Sequence, residues 1–175
     1  MATGTKGSNA LDGAVRAHLH DRGVPFDVII HPKAFTSIDE ARAIGVEADD
    51  VLKTVVIESA AGRALMIVPA SRRLDMHRVH RAVGDPHARL ATEDEVAEAF
   101  PGFALGAIPP LGSLLDVPAF VDPAVLDHET VVFAAGIRTE SIRVRTEDLF
   151  IGEAVHIVRL TREPPDDDDG KELFE

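Results

Sequence analysis

Val51-Leu52-Lys53-Thr54-Val55-Val56-Ile57-Glu58, then Ser59-Ala60-Ala61-Gly62, then Arg63-Ala64-Leu65-Met66-Ile67-Val68-Pro69 is the stretch on which the fold turns. Two apolar runs flank four small residues, the pattern of a β-hairpin. Alternation in the first run puts Val51, Lys53, Val55 and Ile57 on one face and Leu52, Thr54 and Val56 on the other. Both faces are largely apolar, so the strand is expected to be buried on both sides. A lysine held there needs an acceptor or a bound anion, or it loses its proton. A lysine near a strand end can instead run its stem out to water. The sequence alone leaves both readings of Lys53 open.

Outward from the hairpin, helical and strand patterns alternate. Leu11, Val15 and Leu19 recur every four residues and predict a helix over 10–22, which Gly23 ends. Residues 26–30 read as a short strand. Thr36 or Ser37 is the expected N-cap of a second helix, with Asp39 and Glu40 in its first turn and Gly45 at its close. Helices are predicted over 74–83 and 93–100, and strands over 119–121, 130–135 and 141–144. Residues 155–160 fit a last strand or a helix. This is a mixed α/β domain with much antiparallel pairing, not a doubly wound parallel sheet. It is expected to occupy residues 9–163. The Gly/Ser/Thr-rich residues 1–8 and the acidic run at 164–175, which begins Pro164-Pro165, are expected to be disordered.

Composition narrows the function. The 175 residues suit one domain, and 45% hydrophobic content is enough for a core built mainly from Val, Ile, Leu and Ala, since Trp and Tyr are absent. There is no cysteine, which excludes disulfides, a thiol nucleophile and thiolate zinc sites. No apolar run approaches the ~20 residues that span a bilayer, and the first residues lack an apolar signal core. A cytoplasmic protein without membrane contact is expected. The net charge of −12 argues against a broad grip on nucleic acid. Residues 166–175 carry −5 of it, so a small pocket could still receive the end of a nucleic acid.

Few residues carry recognisable chemistry. In Gly106-Ala107-Ile108-Pro109-Pro110-Leu111-Gly112 two prolines stiffen a loop and glycines allow close backbone approach. Such a loop could present the amides of Gly106, Ala107 and Ile108 to a ligand, or be an ordinary Pro-rich turn. Phe133-Ala134-Ala135-Gly136 could line a pocket or merely end a strand. His31-Pro32 suits a pocket rim or a strand-ending turn, and Arg72-Arg73 suits a phosphate site or solvated surface. The pairs His18/His20 and His77/His80, with His87 nearby, lack further ligands at a known spacing, so no metal is expected. Ser37, Ser59, Ser71, Ser113 and Ser141 sit in no nucleophile elbow, and no phosphate loop or dinucleotide fingerprint is present.

The Lys53 strand, the Gly-Ala-Ile-Pro-Pro-Leu-Gly loop and the Phe-Ala-Ala-Gly strand end occur in that order. Before them stand His31-Pro32-Lys33-Ala34-Phe35-Thr36 and Glu40-Ala41. Over roughly residues 10–152 the chain resembles the YbaK/ProX family of trans-editing aminoacyl-tRNA deacylases, related to the editing insertion domain of bacterial prolyl-tRNA synthetases. The resemblance implies a curved, barrel-like mixed sheet flanked by helices. It also implies hydrolysis of the ester joining a wrong amino acid to the terminal adenosine of tRNA, with no cofactor. The family's functional lysine falls on Lys53 and its Gly-x-x-x-Pro loop on Gly106 and Pro110. Catalysis is therefore expected at Lys53 and Gly106. Substrate contacts are expected at His31, Ala107, Ile108, Pro110, Ala134, Ala135 and Gly136. The implied partners are the acceptor end of an aminoacyl-tRNA and a synthetase. Where many relatives have a basic residue followed by Gly, this chain has Ile137-Arg138-Thr139-Glu140. The double-proline loop points to a branch distinct from the Cys-tRNA type. Two alternatives remain: a non-catalytic module that binds tRNA or a synthetase, which the acidic surface favours, and a small-molecule binding protein on the same fold.

Overall fold

The computed structural model describes residues 9–162. The ends expected to be disordered, at 1–8 and 164–175, lie outside the described residues. The hairpin forms as the sequence predicts. β2 (Leu52–Ser59) and β3 (Gly62–Pro69) follow β1 (Phe26–Ile30) and pair antiparallel from Leu52↔Pro69 to Ser59↔Gly62. The turn is tighter than the four small residues suggest, because Ser59 and Gly62 already pair and only Ala60 and Ala61 remain between them.

Helices α1 (Asn9–Asp21), α2 (Ser37–Ile44), α3 (Met76–Val83) and α4 (Glu93–Ala99) stand where the patterns place them. Thr36 caps α2, its hydroxyl accepting from the Asp39 amide, and Gly45 ends it at φ 81°. Helix α3 starts two residues later than the apolar pattern suggests. Asp75 accepts from the His77 amide and sets the first turn, while Leu74 is diverted into a bridge with Thr161. The remaining elements are β4 (Arg89–Leu90), α5 (Gly112–Leu115), β5 (Ala119–Val121), β6 (Thr130–Ala134), β7 (Glu140–Arg145), α6 (Thr146–Phe150) and β8 (Val155–Ile157). The last resolves the open choice at 155–160 as a strand.

Two sheets result. One has the order β1-β7-β6 and is antiparallel; the other, β4-β2-β3-β5-β8, is mixed, with β3, β5 and β8 parallel. A parallel bridge from Val51 to Val132 links them. The fold is the expected mixed α/β domain. Leu52, Val56, Leu65 and Ile67 of the hairpin pack against Val131, Phe133, Ile142 and Val144 of the other sheet, with Val15 and Leu19 of α1. The opposite hairpin face, Ile57, Met66 and Val68, is covered by Val79 of α3 and by Leu160. The hairpin is thus buried on both faces, as its composition requires. Among the described residues no helix is long and apolar enough to cross a membrane.

One buried carboxylate holds the end of the mixed sheet together. Asp122 is 3% exposed. It accepts from the Ala124 amide, the Leu160 and Thr161 amides and the Thr161 hydroxyl, all at 2.8–3.0 Å. Burial by itself would raise its pKa, but these donors outweigh it and hold the carboxyl below its ordinary value. Its stabilising contribution is therefore present above the ordinary carboxylate range and lost as pH falls through the folded value. Asp122→Ala orphans four donors and should cost about 3 kcal/mol in urea denaturation. A loss below ~1 kcal/mol would contradict this role.

Candidate functional site

Strand β4 pairs with β2 only at Ile57 and Glu58, and its last contact is the Ala91 amide donating to the Val56 carbonyl. Alternation along β2 turns the backbone of Thr54 toward the same edge, where β4 no longer runs. A cavity of about 330 Å³ opens there. Lys53, Thr54, Val55 and Val56 form its floor, and Leu90, Ala91, Glu93 and Val96 form one side. Phe35, Thr36 and Ser37 at the start of α2 form a lip, facing Leu105, Gly106 and Ile108.

Lys53 is half-buried, and its Nζ donates to the Arg72 carbonyl at 3.1 Å. It makes no ion pair among the described residues. Burial, and then the charge of Arg73, push its pKa below the ordinary lysine value. An ammonium has three donors, so two N–H groups remain for a ligand. On the other face of β2, the Thr54 hydroxyl is buried without a hydrogen-bond partner among the described residues. Glu93 supplies the one carboxylate of the lining and is exposed.

The two lips are fastened to each other. Gly106 has φ +81°, and a Cβ there would lie 2.3 Å from the Phe35 carbonyl oxygen. The Arg138 guanidinium sits 4.7 Å from the Phe35 ring centroid and donates to the Leu105 carbonyl at 3.3 Å. The amides of His31 and Ala34 donate to the carbonyls of Thr139 and Arg138. The segment Ile137-Arg138-Thr139-Glu140 therefore backs both lips.

Of the residues expected at the site, Lys53, Gly106 and Ile108 meet at the cavity. The others stand elsewhere. The Ala107 side chain is 2% exposed, and its amide donates to the Ala104 carbonyl at 3.0 Å, which corrects the expectation of three presented amides. The amides of Gly106 and Ile108 have no such partner among the described residues. Pro110 and Ala135 are buried, and Ala134 is half-buried on β6. None of the three is on the cavity wall. Gly136 supports the Gly106 loop from behind: its carbonyl accepts from the Ala104 amide, and a Cβ would lie 2.8 Å from the Phe103 ring.

His31 is not at the rim. It is 8% exposed, with Nδ1 2.8 Å from the Pro32 carbonyl and Nε2 2.8 Å from the Ser141 hydroxyl. Ser141 donates in turn to Glu40 at 2.9 Å. Glu40 is the residue the sequence most conceals, because a helix-start glutamate normally faces water. Its side chain turns inward and pins the first turn of α2, next to Thr36 and Ser37, to β7. Burial raises its pKa from 4.5 to about 7, against the lowering effect of the Ser141 hydrogen bond. No group of three or more potential metal ligands occurs among the described residues.

Because the folded pKa of Glu40 is raised, its contribution to stability is full below pH 4.5 and lost as pH rises through about 7. Glu40→Gln keeps the shape without titrating. In urea denaturation across this range the native protein should lose on the order of 3 kcal/mol relative to the variant, and parallel curves would refute the buried carboxyl. Gly106→Ala should destabilise clearly more than Gly84→Ala. Both glycines have positive φ, but a Cβ at Gly84 meets nothing within 4 Å, leaving only strain of about 1–2 kcal/mol. Equal costs would mean that the lips do not touch.

Comparison with known proteins places the chain in a family. The Aminoacyl-tRNA editing domain family matches residues 31–150. A crystal structure described as a candidate trans-editing enzyme for prolyl tRNA synthetase superposes with TM-score 0.77 and 30% identity, covering 87% of this chain and 98% of that one. The hypothetical protein APE2540 shares the fold at TM-score 0.78 and 22% identity, over 85% of this chain and 99% of that one. Proline--tRNA ligase of Shouchella clausii (strain KSM-K16) is 32% identical over 104 residues, 59% of this chain but 18% of the ligase. Proline--tRNA ligase of Heliobacterium modesticaldum (strain ATCC 51547 / Ice1) is 25% identical over 64% of this chain and 19% of its own length. The chain thus spans about a fifth of the ligases it matches. With the match covering well over half of its residues, the chain belongs to the aminoacyl-tRNA editing domain family.

Proposed function

We propose that this protein is a deacylase that hydrolyses wrongly charged aminoacyl-tRNA in trans. The observation that carries the reading is the convergence, at one cavity, of Lys53 with two unused N–H donors and the unengaged amides of Gly106 and Ile108. Action in trans is supported by the similarity in extent to the candidate trans-editing enzyme.

The terminal adenosine and its aminoacyl group enter over the open edge of β2. Lys53 anchors the terminal phosphate or ester region. The Gly106 and Ile108 amides receive the ester oxygen as negative charge develops on it. Water adds to the carbonyl carbon and the bond to the ribose oxygen breaks; one water proton passes to the ribose oxygen and restores its hydroxyl, the other goes to solvent, and the amino acid leaves as a carboxylate. A substrate hydroxyl can orient that water, so that catalysis is chiefly positioning. A mostly aliphatic wall selects the amino acid by size, with about 1–3 kcal/mol per methylene.

Deacylation of tRNAs charged with Ala, Ser, Thr, Pro and Cys tests the reading. One or two substrates should be hydrolysed, and Lys53→Met should lower kcat/KM at least ~100-fold while the protein stays folded. Binding of charged tRNA without turnover of any would instead favour a non-catalytic module, the reading to which the net charge of −12 lends weight.

A further inference from the structure

Five arginines gather beyond the cavity, although the chain as a whole carries −12. Arg72 and Arg73 follow β3, Arg78 is on α3, and Arg159 and Arg162 follow β8. The Leu74–Thr161 bridge and the Arg162 amide, which donates to the Arg73 carbonyl, join these segments. Arg72, Arg78 and Arg159 line a cleft of about 150 Å³, with Asp122, Asp127 and Thr161. The Asp122 oxygens are taken up by its internal donors, while Asp127 is exposed and Asp75 lies 3.5 Å from Arg78. Asp49 accepts from the Ser71 hydroxyl beside Arg72, so among the described residues five guanidiniums stand against four carboxylates on this face.

The cleft is next to the cavity. Strands β3, β5 and β8 are parallel, and Arg72, Asp122 and Arg159 all follow their carboxyl ends. Lys53 pairs with Val68 near the carboxyl end of β3, so it lies at the same end of the sheet. The turn carrying Arg72 is shared: its carbonyl accepts from Lys53 and its side chain lines the cleft. Two strand spacings, roughly 10 Å, separate β2 from β5, whose end supplies the cleft floor. A nucleic-acid strand with a phosphate about every 3.4 Å of its axis bridges that span within a few nucleotides.

We infer that the Arg72–Arg78–Arg159 cleft is a phosphate site that holds the backbone of the tRNA acceptor strand just before its terminal nucleotide. The inference rests on the tRNA substrate proposed above, but its test does not depend on hydrolysis. It gives an acidic protein a local cluster of arginines beside the pocket with which to hold RNA.

The test is binding of uncharged tRNA to the full chain across a salt series, for native protein and for Arg72→Gln, Arg78→Gln and Arg159→Gln. Arg→Lys versions guard against loss of fold. Each Gln variant should weaken binding about 5- to 20-fold and reduce the salt slope by about one. The Lys versions should retain most of the slope. Removing the 3′-terminal nucleotides from the tRNA should erase the difference between native and Gln variants. Unchanged affinity and slope in folded Gln variants would overturn the inference. So would inorganic phosphate saturating the cleft at millimolar concentration while tRNA binding ignores the substitutions, which would assign the cleft to a free anion. If native protein deacylates tRNA but the variants bind normally, only the cleft fails. If the slopes shift as expected without any turnover, only the deacylase reading fails.

Discussion

Eight consecutive residue pairs between β2 and β3 fix the register on which everything else depends. A slip by one residue would exchange the two faces of β2. Lys53 and Val55 would then enter the core between the sheets, and Leu52 and Val56 would leave it. The cost of burying a lysine there, together with the loss of Leu52 and Val56 from their packing with Leu65 and Ile67, makes that register untenable. The same constraint sets the cavity. Because β4 covers β2 only at Ile57 and Glu58, the strand has an open edge at Lys53–Val55, and the cavity lies along that edge.

Around this fixed floor the two lips are held by close contacts. Gly106 meets the Phe35 carbonyl, Arg138 bridges Phe35 and Leu105, and the His31–Ser141–Glu40 chain ties α2 to β7. These contacts join segments about 30 to 110 residues apart in sequence. A preorganised pocket with few titratable groups suits chemistry done by placement of backbone amides and one amine.

The β2–β3 hairpin was legible because its apolar runs, its small-residue turn and its double-sided burial all agree. Lys53 was legible as an anomaly, and its place beside Gly106 and Ile108 followed from the family order. Other parts were not. Strand β4 has two residues, too few for any period, yet its short length is what opens the cavity. Glu40 reads as a first-turn acid that complements a helix start, and only the tertiary fold shows that it faces Ser141. His31 was singled out for the wrong setting: the residue lies beneath the lip and holds it in place. The amides of the loop at 106–108 looked equivalent in sequence, and a local turn removes that of Ala107.

The central claim is that one ligand space joins Lys53 to the Gly106–Ile108 amides at the open edge of β2. A titration with 3′-aminoacylamino-3′-deoxyadenosine, whose amide link resists hydrolysis, followed by backbone amide and lysine Nζ resonances tests it most directly. The account predicts saturable shifts at Thr54, Gly106, Ile108 and the Lys53 Nζ, with Ala107 shifting least within its loop. Shifts confined to other surfaces, with Lys53 and Gly106 unmoved at saturation, would contradict it.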